Sequence, residues 1–256
     1  MNNKQILKKM IFYLPKYLMY WLIRNNYSFP IALFYKVFII KRKRGGINSF
    51  TANSDKITIL AINANMFRGD LECLAQVDKF RVLTLDYTWE TILWTAFTNK
   101  HIEAHEYLNA EVGCDIYALK EKINHFFSGF ISSLLRLIKI DCIVTVNYRY
   151  YADLLWVMHL TNKGIPHICF YREGLMNTDR SYDGVTARHR LFHGYPVTHI
   201  IAHSQKCKDS FVESGFASEG QVSVHGALRM DNLLKLVNSG KCGAISKDKG
   251  RRKRVT

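Results

Sequence analysis

Residues 141–171 read DCIVTVNYRYYADLLWVMHLTNKGIPHICFY. An apolar, β-branched run at 141–146 leads into a longer helical stretch at 151–163. Gly164 and Pro166 then interrupt it, and a second apolar run follows at 166–171. Two buried strands joined by a helix form a βαβ unit, whose strands lie parallel. The same alternation extends in both directions. Upstream lie ITILAI (57–62) and FRVLTL (80–85), and downstream lie THIIAH (198–203) and QVSVH (221–225). Helix candidates fall near 69–77, 100–111, 117–139, 204–214 and 229–237, and Ser204 is placed to cap the fifth of the six. Most of the strand runs are nearly continuous in apolar character, as strands covered on both faces should be. The expectation is an α/β fold, a doubly wound Rossmann-like parallel sheet spanning residues 51–240.

The chain has 256 residues, 48% hydrophobic and 22% charged, enough to bury a sizeable core. Its formal charge of +15 is unevenly spread. Residues 1–56 hold eleven Lys/Arg against one acid, 57–240 hold eighteen against nineteen, and 241–256 hold seven against one. A domain built to bind duplex nucleic acid carries its cations on the fold itself, so this distribution argues against nucleic acid as the partner. The six cysteines form no CxxC pair and no close spacing, so neither a zinc site nor a disulfide framework is indicated, and a reducing cytosolic setting fits.

Residues 1–50 hold two apolar, aromatic-rich runs, 10–23 (MIFYLPKYLMYWLI) and 31–40 (IALFYKVFII), flanked by Lys8, Lys9 and the KRKR block at 41–44. About 20 uninterrupted apolar residues are needed to cross a bilayer, and Pro15, Lys16, Pro30 and Lys36 break these runs. The physical reading is an interfacial helical segment. Its aromatic rings would sit at headgroup depth and its Lys/Arg on an anionic membrane surface, at the cytoplasmic face of the plasma membrane. The alternative is a pair of ordinary helices packed on the domain.

Ligands of open parallel sheets sit outside the carboxyl ends of the strands. That rule selects the loops starting at Asn63, Asn147, Arg172, Ser204 and Gly226. In the first, Asn63, Asn65, Arg68 and Asp70 would line a crevice. Arg149 and Arg172 end neighbouring strands, where forked guanidinium groups suit phosphate or carboxylate. The segment 172–196 reads as the longest and most polar loop. Within it Glu173 follows a buried strand and is a candidate proton acceptor for a hydroxyl. The competing reading of Glu173 is an ion pair with Arg172, Arg149 or Arg188. His101 and His105 share a helical spacing, but HIEAH lacks the arrangement of the HExxH motif, so no metal is expected. There is no GxSxG elbow and no GxGxxG fingerprint, so neither a serine hydrolase nor a bound dinucleotide cofactor is implied.

The segment THIIAHSQKCKDSFVESGF (198–216) followed by VSVHGALRMDNLL (222–234) resembles a pattern in GT-B glycosyltransferases of bacterial surface-polysaccharide assembly. That group includes the CDP-glycerol glycerophosphotransferases and the Kdo transferase-like proteins. Gly226, Arg229 and Asp231 occupy its G-x-x-R-x-D positions, and YREGL (171–175), with Gly174, is similar to its acceptor-edge loop. The teichoic acid enzymes carry a histidine in that loop, where this chain has Tyr171, Arg172 and Glu173, so Glu173 is the only substitute for a histidine base. The resemblance implies an N-terminal, acceptor-side domain. It would transfer a sugar or polyol-phosphate from a nucleotide-activated donor to a lipid-linked or surface glycan, with that donor as substrate and no cofactor. GT-B enzymes hold the donor mainly in a second domain, so 241–256 reads as a basic linker leading into a donor-binding domain that this chain lacks, on the same or a separate chain. The alternatives are a non-catalytic, membrane-attached module that binds a glycan or subunit, and a sugar-nucleotide epimerase-like protein.

Overall fold

The computed structural model describes residues 16–43, 55–172 and 179–230, together with 234 and 238. Six strands run parallel: β2 (Ile57–Ala61), β3 (Phe80–Thr84), β4 (Cys142–Thr145), β5 (His167–Phe170), β6 (His199–Ala202) and β7 (Val222–Val224). All six fall within the runs expected from the sequence. A two-residue strand, β1 (Lys41–Arg42), adds antiparallel to β3, where the sequence shows only a basic flank. The order is β1-β3-β2-β4-β5-β6-β7. From β2 the chain first moves to one side and then returns to the other, so the switch point, where such sheets bind ligands, lies between β2 and β4.

Coverage of the sheet is uneven. β4 is buried throughout, whereas β5 and β6 alternate buried with half-buried residues. On one face, α3 (Asp70–Ala75) and a 3-10 turn at Ala64–Phe67 pack Phe67, Leu71 and Leu74 on Ile59, Val82 and Val144. The other face holds the larger core. There α6 (Asp115–Leu137) turns Ile123, Phe126, Phe127, Phe130, Ile131 and Leu134 inward, a spacing of three and four that keeps one helical face apolar. Against it lies α7 (Tyr151–Thr161), buried almost all round. Its fully buried Trp156 meets the Phe130 ring edge to face at 5.3 Å. Each such ring contributes about 2–3 kcal/mol through the apolar area it removes from water.

Residues 16–43 are part of this core. Residues 16–24 form α1, α2 spans Ser28–Phe34, and a π-helical turn continues through Tyr35–Ile39. Met19, Ile23, Ile31, Ala32, Tyr35 and Ile39 are buried, and Tyr35 packs on Phe130 and Trp156. α1 is also fastened by polar contacts. Tyr20 pairs with the Thr95 hydroxyl at 2.7 Å, and Arg24 Nε donates to the Ala96 carbonyl at 2.8 Å. Close approach of α2 to α6 depends on Gly129, where an added Cβ would stand 3.0 Å from Ser28 Oγ. The outward side is different in kind. Tyr17, Leu18, Trp21, Tyr27, Phe29, Leu33, Val37 and Phe38 are all exposed. Among the described residues no helix is long and apolar enough to cross a membrane.

Three helices depart from the sequence reading. The expected helix at 100–111 shortens to α5 (Ala104–Leu108), while α4 (Tyr87–Thr95) forms where no helix was assigned. Most importantly, the segment expected to be a long polar loop contains α8 (Asp179–Arg190). Its mean hydropathy is low, but Tyr182, Val185 and His189 recur at helical spacing and pack inward. Asp179 in its first turn and Arg188, His189 and Arg190 in its last suit the helix dipole. α9 (Gln205–Glu213) begins as expected, with the Ser204 hydroxyl accepting from the Cys207 amide at 3.2 Å. The expected helix at 229–237 lies almost wholly outside the described residues. Among the described residues, Cys73, Cys114, Cys142, Cys169 and Cys207 form no disulfide.

Candidate functional site

The loops after β2, β3 and β4 converge at the switch point on a buried acidic pair. Glu90, in the first turn of α4, and Asp153, in the first turn of α7, are both essentially inaccessible. Asn63, in left-handed conformation just after β2, donates its amide N–H to Glu90 Oε1. Neither Asp153 oxygen has a partner in ordinary hydrogen-bond geometry among the described residues, although the Glu90 and Asn63 side chains are its neighbours. Burial pushes the Asp153 carboxyl up to about 7, with Glu90 and Asn63 opposing the rise. The Glu90 carboxyl rises well above the carboxylate range, through burial first and the Asp153 charge second. Two carboxyls in one dry site do not both ionise, so the pair retains a proton near neutrality.

A basic group occupies the rim of the same edge. Asp70 is buried at the start of α3 and accepts two bonds from Arg229, one from the backbone amide at 2.8 Å and one from Nη1 at 3.3 Å. Gly69 permits this docking. Its φ of +103° suits glycine, and an added Cβ would lie 3.6 Å from Arg229 Cβ. Gly226 likewise takes a positive φ of 72° as the chain leaves β7 and turns toward Asp70. Arg68 and Arg172 belong to the same electrostatic neighbourhood. Burial, then Arg229, lowers the pKa of Arg172; Asp70 opposes this and Arg68 adds to it. The Arg172 Nε is buried without a hydrogen-bond partner among the described residues. His203, just beyond β6, is held below its ordinary value by burial and then by Arg229. Three guanidinium groups and a histidine thus surround one carboxylate, an arrangement that suits an added anion.

Arg149 is placed elsewhere. It lines a cleft of about 530 Å³ between α4, α5, α7 and α8, together with His101, His105 and Arg188. Arg149 and Arg172 therefore end neighbouring strands but join different groups. Of the other residues singled out in the sequence, Asn63 is turned into the floor beneath the edge. Asn65 and Arg68 border a shallow depression of about 240 Å³ with Lys43, Glu72 and Asp86. Glu173, Gly174 and Asp231 lie outside the described residues. Glu90, Asp153 and His203 were missed by the sequence reading. The available signal for Glu90 and Asp153 was their position in the first turn of a helix that follows a strand, which the unassigned α4 concealed for Glu90, and His203 falls at the end of a run read as strand. Among the described residues no group of three or more His, Cys, Asp or Glu is arranged to hold a metal ion.

The chain matches no family model, no curated protein and no solved structure.

Proposed function

We propose that the chain carries the acceptor-side domain of a GT-B-type transferase that moves a sugar or polyol-phosphate from a nucleotide-activated donor to a hydroxyl of a membrane-linked glycan. The observation that carries this reading is the group of Arg68, Arg172, Arg229 and His203 around the single carboxylate of Asp70, at the carboxyl edge of a parallel sheet. Cations there offset the negative charge of a phosphate-bearing reactant, and orientation in the cleft lowers the entropic part of the barrier. Glu173, next in sequence to Arg172, takes the proton of the acceptor hydroxyl as its oxygen bonds to the transferred carbon or phosphorus, while the bond from that atom to the donor's nucleotide phosphate breaks and the nucleotide leaves with the electron pair.

The outward side of α1, α2 and the π turn supports attachment to a bilayer. Its exposed rings and aliphatic chains accompany Lys16, Arg24, Lys36, Lys41 and Arg42, and residues 16–43 contain no acid. Rings at headgroup depth and cations on anionic phosphates stabilise such interfacial binding together.

The test is transfer from labelled nucleotide sugars and CDP-glycerol to endogenous lipid-linked acceptor, in membranes of cells expressing the full protein with any partner chain. Arg172→Ala and Glu173→Gln should each lower the rate by about tenfold or more. Equal rates in wild type and both variants would eliminate the reading.

A further inference from the structure

We propose that the cleft of about 530 Å³ between α4, α5, α7 and α8 binds a phosphorylated ring compound, a sugar phosphate or a nucleotide, at a site distinct from the arginine group around Asp70. The proposal does not depend on the transfer reading.

Size, charge and wall chemistry each point to this ligand class. The volume falls in the range of small-molecule sites, about 300–1,000 Å³. Four basic side chains, His101, His105, Arg149 and Arg188, line the cleft against one acid, Glu103. That acid is already engaged, since it accepts the Glu106 amide in the capping box of α5 and lies 2.9 Å from His101 Nε2. The N-terminus of α7 adds to the same potential. Tyr151 and Ala152 of its first turn lie in the wall, and Tyr150 at its N-cap supplies no side-chain acceptor. The acid of that turn, Asp153, is fully buried beside Glu90 instead. Helix amides and guanidinium groups facing one space favour a dianion.

Charge alone would accept free phosphate. The walls argue for a ring. Tyr87 and Tyr150 stand edge to face at 6.2 Å, and Trp94 packs at 3.9 Å from Tyr151. Aromatic faces of this kind stack on the flat side of a base or pyranose, which a free phosphate cannot exploit.

The experiment titrates the full chain with glucose 1-phosphate and with UMP, by calorimetry and tryptophan fluorescence, with glucose, uridine and inorganic phosphate as controls. At least one of the two phosphorylated compounds should bind about tenfold tighter than its unphosphorylated counterpart and than inorganic phosphate. Which one binds separates the sugar phosphate from the nucleotide. Arg188→Ala, at an exposed position, should weaken binding about tenfold with an unchanged melting temperature, and Arg188→Glu should weaken it further. Arg68→Ala should leave it unchanged. The proposal is overturned if neither compound binds, if the unphosphorylated counterparts bind equally well, or if Arg68→Ala removes binding that both Arg188 variants retain. Loss of transfer activity in membranes would not alter any of these results.

Discussion

Beneath the carboxyl edge of the sheet, Glu90 and Asp153 meet with no cation among the described residues near enough to neutralise them, while on its rim Arg68, Arg172 and Arg229 gather around one carboxylate. The two groups differ in what each can recruit. An inaccessible acid pair can take up only a proton, which needs no entry path. A half-exposed group of arginines cannot lose its charge near neutrality, so its balance must come from an anion in solution. The first group therefore makes the fold sensitive to pH, and the second is the one that an anion in solution can reach.

The largest effect should come from breaking the acidic side of this comparison. Raising the Asp153 carboxyl from its ordinary 3.8 to about 7 costs the folded state about 4 kcal/mol once pH exceeds both values. The native state binds the extra proton between those limits, so stability from this source is full at low pH and is lost as pH rises through 7. Asp153→Asn should accordingly be more stable than wild type at pH 8 by up to about 4 kcal/mol in urea unfolding, with the gain vanishing near pH 4. His159, His167 and His189 act in the opposite sense. Burial lowers each to about 4, so their contribution is lost as pH falls from 6.5 toward 4. The two windows overlap, and three histidines outweigh one carboxyl within them, so wild-type stability should rise with pH from about 4 to 6.5 and level off near 7, and the substitution should steepen that rise. An Asp153→Asn variant whose pH profile parallels that of wild type would show that the pair is not protonated in the native state.

The basic rim can be broken at its one carboxylate. Asp70→Asn removes the buried acceptor of two Arg229 hydrogen bonds and leaves a weaker one, at a cost of about 2 kcal/mol. The partner is one-third exposed, which keeps this below the cost of breaking a fully buried pair. Unfolding at fixed pH measures it. Unlike Asp153→Asn, this variant should be less stable than wild type at pH 8, so the same chemical change gives opposite signs at the two sites.

How far each group is legible in the sequence follows from the same physics. Strands such as ITILAI and DCIVTV are readable because burial on both faces enforces a continuous apolar run, and all six strands fall within the runs expected. Arg68, Asp70, Arg172 and Arg229 could be singled out because each lies in a loop just beyond a strand. That Arg229 closes on Asp70, 159 positions away, depends on a turn whose geometry no local pattern states. α8 escaped notice because a helix with one narrow packed face and a charged remainder looks like a loop by composition. Without α8, the cleft containing Arg149 and Arg188 has no far wall and cannot be anticipated. The acid pair was hidden for a different reason: Glu90 and Asp153 are polar residues in first turns, where acids are ordinarily solvated and favourable to the helix.

Gly69 offers a smaller perturbation of the rim. Alanine there must adopt a φ of +103°, disfavoured for L side chains, and its Cβ would sit in ordinary contact 3.6 Å from Arg229. Backbone strain alone should therefore cost about 1–2 kcal/mol, without displacing the arginine by steric clash. Gly69→Ala should lower the unfolding free energy by that amount while leaving phosphate affinity within about twofold. A large loss of phosphate affinity would instead mean that the position of Arg229 depends on the loop conformation rather than on its bonds to Asp70.

The smallest stability effect is expected at the outer surface of α1, where the contrast between inner and outer residues repeats on an apolar scale. Trp21 is 55% exposed and stacks on the exposed Tyr27 ring at 5.5 Å, whereas Ile23, two residues on, is 1% exposed within the core. Truncating Trp21 to alanine removes little that folding has buried, and unfolding should change by about 0.5 kcal/mol or less. Ile23→Ala should cost about 2–4 kcal/mol, because it opens a cavity in the buried core to which Ile23 belongs. If the outer side rests on a bilayer, the ranking inverts when the measured quantity is retention on vesicles containing anionic lipid. Trp21→Ala should then reduce binding about tenfold, while Ile23→Ala, assayed below its melting temperature, should leave it near wild type. Equal retention of wild type and Trp21→Ala would remove the membrane from the account of this surface without touching the core beneath it.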